Sequence, residues 1–191
     1  LIRKNLQFSA LYGGKICGIG PRYCPSVEVK VVRFPHHERH VIFLEPDGTH
    51  NDEIYPGGLS NSFPPEIQQR IVRTIEGLED AQIVQNAYAV EYDVVDAREV
   101  NLQLESAKVR GLYFAGQILG TSGYEEAAAL GTFAGLNAAF SLLGLPPINL
   151  ARQCAYTAVM VDDLVNRGAD EPYRLLSARA EFRLLLREDN V

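Results

Sequence analysis

Gly111-Leu112-Tyr113-Phe114-Ala115-Gly116-Gln117-Ile118-Leu119-Gly120-Thr121-Ser122-Gly123-Tyr124-Glu125-Glu126 is the stretch on which the fold of this chain turns. The first five residues form an apolar run of strand character. Glycines at 116, 120 and 123 allow a tight turn, and Glu125 and Glu126 suit the first turn of a helix. A strand passing through such a turn into a helix aims unpaired backbone N–H groups, and the positive end of the helix dipole, at whatever lies beyond the strand end. An anion or a polarised carbonyl suits that place. Downstream, Ala127, Gly131, Gly135 and Ala139 recur at every fourth residue, giving the helix a ridge without bulk that can lie close to a neighbouring backbone. The two mid-helix glycines cost about 1 kcal/mol each against alanine, so packing has to offset them. Gly144 and Pro146-Pro147 mark the end of this helix. The same pattern, taken alone, equally describes a tightly packed α/β unit without a ligand.

On the C-terminal side, Gln153 to Asn166 reads as a helix stopped by Gly168, and a further helix is expected around Arg174 to Arg187, introduced by Pro172. On that helix Arg179, Arg183 and Arg187 form a cationic stripe with Arg174 one turn earlier. The stripe suits phosphate, and Glu181, Glu188 and Asp189 equally offer it counter-charges as a solvated face. On the N-terminal side, Val41-Ile42-Phe43-Leu44 reads as a strand ending in the turn Glu45-Pro46-Asp47-Gly48. Ser62, Pro64, Pro65 and Glu66 announce a helix, on which Ile67, Ile71, Ile75 and Leu78 share a face until Gly77 ends it. Ala81 to Val84 and Tyr88 to Tyr92 are expected as strands.

The bulk numbers restrict the possibilities. With 191 residues, 47% of them hydrophobic and 22% charged, the chain can bury one core or two small ones. It contains no run of about 18 apolar residues and no secretory leader pattern. Cys17, Cys24 and Cys154 lack metal-ligand spacing and read as reduced thiols of a cytosolic-type compartment. His36, His37, His40 and His50 lie in polar loop sequence without an element to fix coordination geometry, so no metal site is expected. A net charge of −6 repels phosphate at long range, so a nucleic-acid partner has to be met by a local basic patch. The chain opens on Leu1 inside an element, its one methionine is Met160, and it closes on Arg187-Glu188-Asp189-Asn190-Val191 without a stop signal. It therefore reads as a piece of a longer protein.

Gly18-Ile19-Gly20-Pro21-Arg22-Tyr23-Cys24-Pro25-Ser26-Val27-Glu28, with Lys30 and Arg33-Phe34 following, is the second informative block. It is no dinucleotide fingerprint, because Tyr23 stands at the third glycine position and Pro21 breaks the turn. Cys24 near Arg22 and Lys30 is a candidate nucleophile, since cations favour the reactive thiolate; a buried structural cysteine in a turn is the plainer account.

Both blocks carry a resemblance. Ala115-Gly116-Gln117, Gly120, Gly123 through Ala129, Gly131 and Ala134 through Ala138 closely resemble the second flavin-binding motif of the MnmG/GidA family. Gly20 through Ser26, with Glu28 and Lys30, is similar nearly letter for letter to another motif of that family. Asp162-Asp163-Leu164 and Glu171-Pro172-Tyr173-Arg174 look like the family too, so the resemblance covers essentially the whole chain. Leu119 and Leu130 depart from it, standing where Asn and Gln are usual.

The resemblance implies an α/β fold: a Rossmann-like, glutathione-reductase-type FAD/NAD(P)-binding fragment with an inserted α+β domain and the start of a helical region. Residues 1–105 would belong to the inserted domain, 106–147 to the FAD-binding domain and 148–191 to the helical region. It implies FAD contacts at Gly116, Gln117, Gly120, Gly123, Tyr124 and Glu125, with Gln117 at the ribityl chain. NAD binding is implied for Gly20, Pro21, Arg22, Tyr23, Pro25, Ser26, Val27, Glu28, Val29, Lys30, Val31, Val32, Arg33 and Phe34, and covalent attack on a pyrimidine for Cys24. The implied activity adds a carboxymethylaminomethyl or aminomethyl group to C5 of the wobble uridine of tRNA. It uses FAD, NADH and methylenetetrahydrofolate, with an MnmE-type GTPase, in a homodimeric cytoplasmic enzyme of bacterial or mitochondrial source. Two other readings stay open: a folate- and FAD-dependent tRNA uridine methyltransferase of the TrmFO type, and an inactive truncated relative serving as a binding module.

Overall fold

The computed structural model describes residues 1–17 and 26–190. They form two compact units, one of residues 1–17 and 26–91 and the other of residues 92–190. Among the described residues no helix is long and apolar enough to cross a membrane.

The first unit opens with a 3₁₀ helix at Ile2–Phe8, followed by helix α1 (Val27–Arg33), strands β1 (Phe43–Pro46) and β2 (Ile54–Gly57), and helix α2 (Pro65–Val72). The strands form an antiparallel hairpin from Phe43↔Gly57 to Pro46↔Ile54, closed by Asp47 N–H on Glu53 O at 2.9 Å. The strand expected at Val41 starts two residues later and takes in Pro46, which a two-stranded ribbon tolerates because an edge leaves one side of each strand unpaired. Helix α2 starts where the proline pair places it, with Pro65 in its first turn, and buries Ile67 and Ile71 against Phe63, Ile2 and Leu6.

Two expectations in this unit are corrected. The helix does not reach Leu78: it ends at Val72, and the chain continues in tighter turns, with Thr74, Ile75 and Leu78 N–H each bonded three residues back. The Thr74 hydroxyl also takes the Ile71 carbonyl at 2.7 Å, a local bond that competes with helix continuation. Nor are 81–84 and 88–92 strands. The amide of Gln68 pairs with both N–H and C=O of Ala87 at 2.9 Å. The amide of Gln69 accepts from Ile83 N–H at 3.1 Å and donates to Ala81 O at 2.7 Å. Side-chain amides satisfy peptide groups that a neighbouring strand would otherwise have to meet.

The second unit is built on helices α3 (Tyr124–Leu142) and α4 (Tyr156–Arg167). Its core joins Leu104, Leu119, Leu130, Phe133, Met160, Leu164 and Tyr173. Helix α3 turns Glu126, Leu130, Phe133, Ala134 and Asn137 inward. The buried Asn137 amide donates to Phe133 O at 3.0 Å and accepts from Ile148 N–H at 2.9 Å, tying the helix to the segment that follows Pro146-Pro147. Helix α4 begins three residues later than expected and is stopped by Gly168, whose φ of 75° carries the chain away.

Three further expectations are corrected here. Residues 111–115 are extended at Ala115 but form a single antiparallel bridge, Glu105↔Tyr113, among the described residues rather than a ladder. A strand is defined by its partners, and here the only neighbour among the described residues is the short stretch 104–106, joined by Ser106 N–H on Leu112 O at 2.7 Å and Phe114 N–H on Leu104 O at 3.0 Å. The small-residue ridge of α3 is packed only at Ala127: Gly131, Gly135 and Ala139 are exposed, and a Cβ placed on Gly131 or Gly135 would meet nothing within 4 Å among the described residues. Residues 174–187 are not a helix. They hold a 3₁₀ turn at Ser177–Arg179 and a turn closed by Leu185 and Leu186 N–H on Phe182 O. Arg179 Nε donates to Arg174 O and Arg183 Nε to Ala180 O, so guanidinium groups occupy carbonyls that a helix would claim.

Candidate functional site

The glycine turn gathers most of the second-unit candidates. From extended Ala115 the chain enters a 3₁₀ turn at Gly116–Leu119, with Gly116 at φ 82° and Gly120 at φ 89°. Both angles lie in the left-handed region that glycine occupies without penalty. A Cβ on Gly116 would stand 3.4 Å from the Ala127 methyl, so the turn lies directly against the first turns of α3. Gln117 is half-buried, and its side chain has no hydrogen-bond partner among the described residues. Leu119 turns into the core.

Beyond the turn, Thr121 bridges Tyr173 in parallel. Tyr173 N–H donates to Gly120 O at 2.8 Å, and Ser122 N–H and Oγ both reach Tyr173 O at 3.0 Å. Thr121 Oγ1 is buried without a partner among the described residues. Gly123 caps α3 without a side chain, so no N-cap side chain engages the first N–H groups of the helix, and of these the Glu125 N–H meets its own carboxylate.

Arg174 and Glu126 close one flank of this helix start. Glu126 is 2% exposed and accepts from Leu175 N–H at 2.8 Å and from Arg174 Nη1 at 3.0 Å; Arg174 also reaches Glu125 at 3.3 Å. A Cβ on Gly123 would fall on the Arg174 guanidinium and the Glu126 carboxylate. The amino end is therefore flanked by a cation on one side, while Tyr124 is 91% exposed. The Glu125 carboxyl is held below its usual range by its own backbone N–H and by Arg174.

Below this lies a network that no spacing in the sequence announces, because its members are 10 to 29 residues apart. Arg152 donates to Glu181 at 2.7 and 2.9 Å, to Asp162 and Asp163 at 2.8 Å each, and to the carbonyls of Val159 and Arg179 at 3.3 Å. Asp163 also accepts from the Tyr173 hydroxyl at 2.9 Å, and the Arg179 guanidinium lies 4.2 Å over the Tyr173 ring. Burial, then the bond to Asp163, pushes the Tyr173 hydroxyl well above its ordinary range. The Arg152 bond holds Glu181 down to about 2. Three carboxylates around one guanidinium leave an excess of negative charge, which Arg167, 3.6 Å from Asp163, partly offsets, and hydrogen bonds to every nitrogen of Arg152 satisfy the partly buried cation.

Of the other candidates, Gly20 through Pro25, including Cys24, lie outside the described residues. Ser26 stands at the N-cap position of α1 with its buried Oγ unpartnered among the described residues, Val27 N–H bonds Ser60 O at 2.8 Å, and Val27 and Glu28 are buried. Glu28 Oε1 accepts from Ser62 N–H at 2.9 Å, Ser62 Oγ at 2.7 Å and Ser9 Oγ at 3.4 Å. Its other oxygen has no partner among the described residues. Lys30 Nζ donates to Gly58 O at 3.2 Å; Val29 and Val31 are half-buried, and Val32, Arg33 and Phe34 are exposed. Cys17 and Cys154 are free and exposed.

The family model for glucose inhibited division protein A, GIDA, matches residues 1–146. The chain belongs to the GidA family. The GidA resemblance drawn from the two sequence blocks is thus borne out. Across 190 residues the chain is 57% identical to the tRNA uridine 5-carboxymethylaminomethyl modification enzyme MnmG of Thermus thermophilus and 55% identical to that of Deinococcus radiodurans. Each alignment covers 100% of this chain and 32% of the relative, so the chain spans about a third of the length of these GidA proteins. The structure of Aquifex aeolicus GidA in its form I crystal matches 99% of this chain and 31% of that one, with TM-score 0.84 and 56% identity. The fold shared with GidA is thus a mixed helix and strand arrangement.

Proposed function

We infer that this chain is the part of a flavin-dependent tRNA-modifying enzyme that supplies a flavin contact and a reactive cysteine. The activity is addition of a carboxymethylaminomethyl or aminomethyl group to C5 of the wobble uridine, with an MnmE-type GTPase as partner, methylenetetrahydrofolate as one-carbon donor and NADH as reductant, in a homodimer. The observation that carries this reading is the 57% identity to an MnmG enzyme along 190 residues.

The glycine turn fits a flavin nucleotide. Gly116 lets the turn lie against the first turns of α3, and the start of α3 offers N–H groups and dipole charge to a carbonyl or phosphate. Arg174 adds a cation beside them. FAD supplies two-electron reduction when bound. In this reading Gln117 hydrogen-bonds the ribityl chain with the amide that finds no partner among the described residues, and residues 20–34 bind NAD.

Cys24 acts as the nucleophile. Addition of its thiolate to uridine C6 makes C5 electron-rich, the position that takes the one-carbon unit; loss of the C5 proton then expels the thiolate. Cys24→Ser in the full-length enzyme is expected to leave flavin absorbance intact and abolish modified uridine by nucleoside analysis. Undiminished modification would overturn the role of Cys24. No Gly-x-Gly-x-x-Gly turn occurs in these 191 residues, so the chain alone is expected to lose FAD on gel filtration.

A further inference from the structure

The loop after α1 gathers rings and cations at the surface. Phe34 and His37 stack with centroids 5.2 Å apart and planes 14° from parallel; His36 meets His37 edge-on at 4.6 Å, and His40 lies 6.0 Å from His37. Phe34 is 40% exposed, and Arg33, His36, His37 and Arg39 are exposed beside it. The loop is anchored: His37 N–H donates to Phe34 O at 3.1 Å, and the Arg3 guanidinium donates to Pro35 O at 2.7 Å. Arg3 and Lys4 also line a groove of about 410 Å³ with Ile2, Val31 and Ile71.

Charge separates along the chain in the same sense. Through residue 40 the described residues carry Arg3, Lys4, Lys15, Lys30, Arg33 and Arg39 against Glu28 and Glu38, and Glu28 is fully buried. In a chain of net charge −6, Arg33 and Arg39 flank the stacked rings in the same loop, and Arg3 is tied to that loop at Pro35. Rings left in water gain by being covered, and a base whose own stack is broken has a bare π-face to cover them with, while its phosphates meet the neighbouring cations.

The geometry points to a single-stranded RNA contact at Arg33–His40, which shares Arg33 and Phe34 with the end of the stretch read as NAD-binding and is probed without NADH: Phe34 and His37 are the platform for an unpaired base, and Arg3, Arg33 and Arg39 face the backbone phosphates. Duplex RNA, whose bases are stacked on one another, engages the cations alone. That the RNA is an anticodon loop rests on the tRNA-modifying reading; the platform does not.

The test is fluorescence anisotropy on the 191-residue chain with three labelled probes: an anticodon stem-loop, a blunt RNA duplex and oligouridylate. Phe34→Ala/His37→Ala is expected to weaken stem-loop and oligouridylate binding roughly tenfold and to leave duplex binding unchanged. Arg33→Ala/Arg39→Ala should weaken all three and lower the salt slope for oligouridylate by about 1.4. Both pairs are exposed, so both variants should keep the wild-type far-UV circular dichroism. Unchanged stem-loop and oligouridylate affinity in the ring variant overturns the proposal. So does wild-type binding to duplex as tight as to oligouridylate, or equal affinity for labelled polyglutamate. Oligouridylate bound as tightly as the stem-loop upholds the platform and counts against the anticodon assignment.

Discussion

Leu119 and Leu130 are the positions at which the flavin-motif block departs from its family pattern, and both are fully buried in the second-unit core. Leucine there contributes packing in place of a hydrogen bond. Leu130→Ala is expected to cost about 2–5 kcal/mol through lost contacts and the cavity left behind, read as a lowered urea midpoint at unchanged slope. Leu130→Gln should also destabilise, by about 1–3 kcal/mol, because an amide would enter a site lined by apolar side chains. Neutral behaviour of Leu130→Gln would mean that this core accommodates the family's usual residue. Leu104 adds an unusual case: it is wholly buried with φ at 67°, held by its N–H on Asn101 O and by Phe114 N–H on its own carbonyl. A leucine accepts that backbone strain because its side chain fills the centre of the core.

Where the chain's own letters dictate an element, the structure follows them. Pro65 and Gly168 set the start of α2 and the end of α4, and the Gly116–Gly123 turn leads into α3 as its glycines require. Periodicity succeeds only where the packing partner is also present. The α2 face repeats through Leu78, yet the helix stops at Val72, and the alternation at 81–92 yields no ladder because Gln68 and Gln69 meet its peptide groups. Nothing local could reveal Arg152, whose carboxylate partners are scattered between Asp162 and Glu181. The NAD reading of residues 20–34 rests on resemblance alone, and Cys24, a candidate nucleophile from its neighbouring cations, lies outside the described residues. Two outcomes belong to this scale. Gly123→Ala should destabilise the second unit by forcing the Arg174–Glu126 pair apart, and Arg174→Ala in the same chain should cost less than in the wild type, a coupling that a double-mutant cycle measures. Gln68→Leu should leave α2 in place while hydrogen exchange at the Ala87 amide speeds up.

At the scale of the molecule, acid is the condition to which the chain is most exposed. Glu181 is held to about 2 chiefly by Arg152 and Asp96 to about 2 chiefly by Arg98, against ordinary values of 4.5 and 3.8. A depressed carboxyl adds stability that is complete above its unfolded value and is lost as pH falls through the folded one. The melting temperature should therefore drop between about pH 4.5 and 2. Glu181→Gln should flatten part of that drop; an identical acid profile would count against the clamp. Tyr173, raised by burial, works in the opposite direction, and its contribution is full below its ordinary value of 10 and declines in stronger base. The bare face of α3, with Gly131 and Gly135 open and Leu142 and Leu143 exposed, predicts association of the chain as its concentration rises, visible in sedimentation velocity. The Arg152 clamp also governs how a protease meets this molecule. Trypsin must draw an arginine out straight into its specificity pocket, and Arg152 cannot be drawn out while three acids grip it, whereas Arg110 stands open in its turn. Survival of the bond after Arg152 during a timed digest thus reports whether the last forty or so residues of the chain are still folded, without any label having to be attached to them.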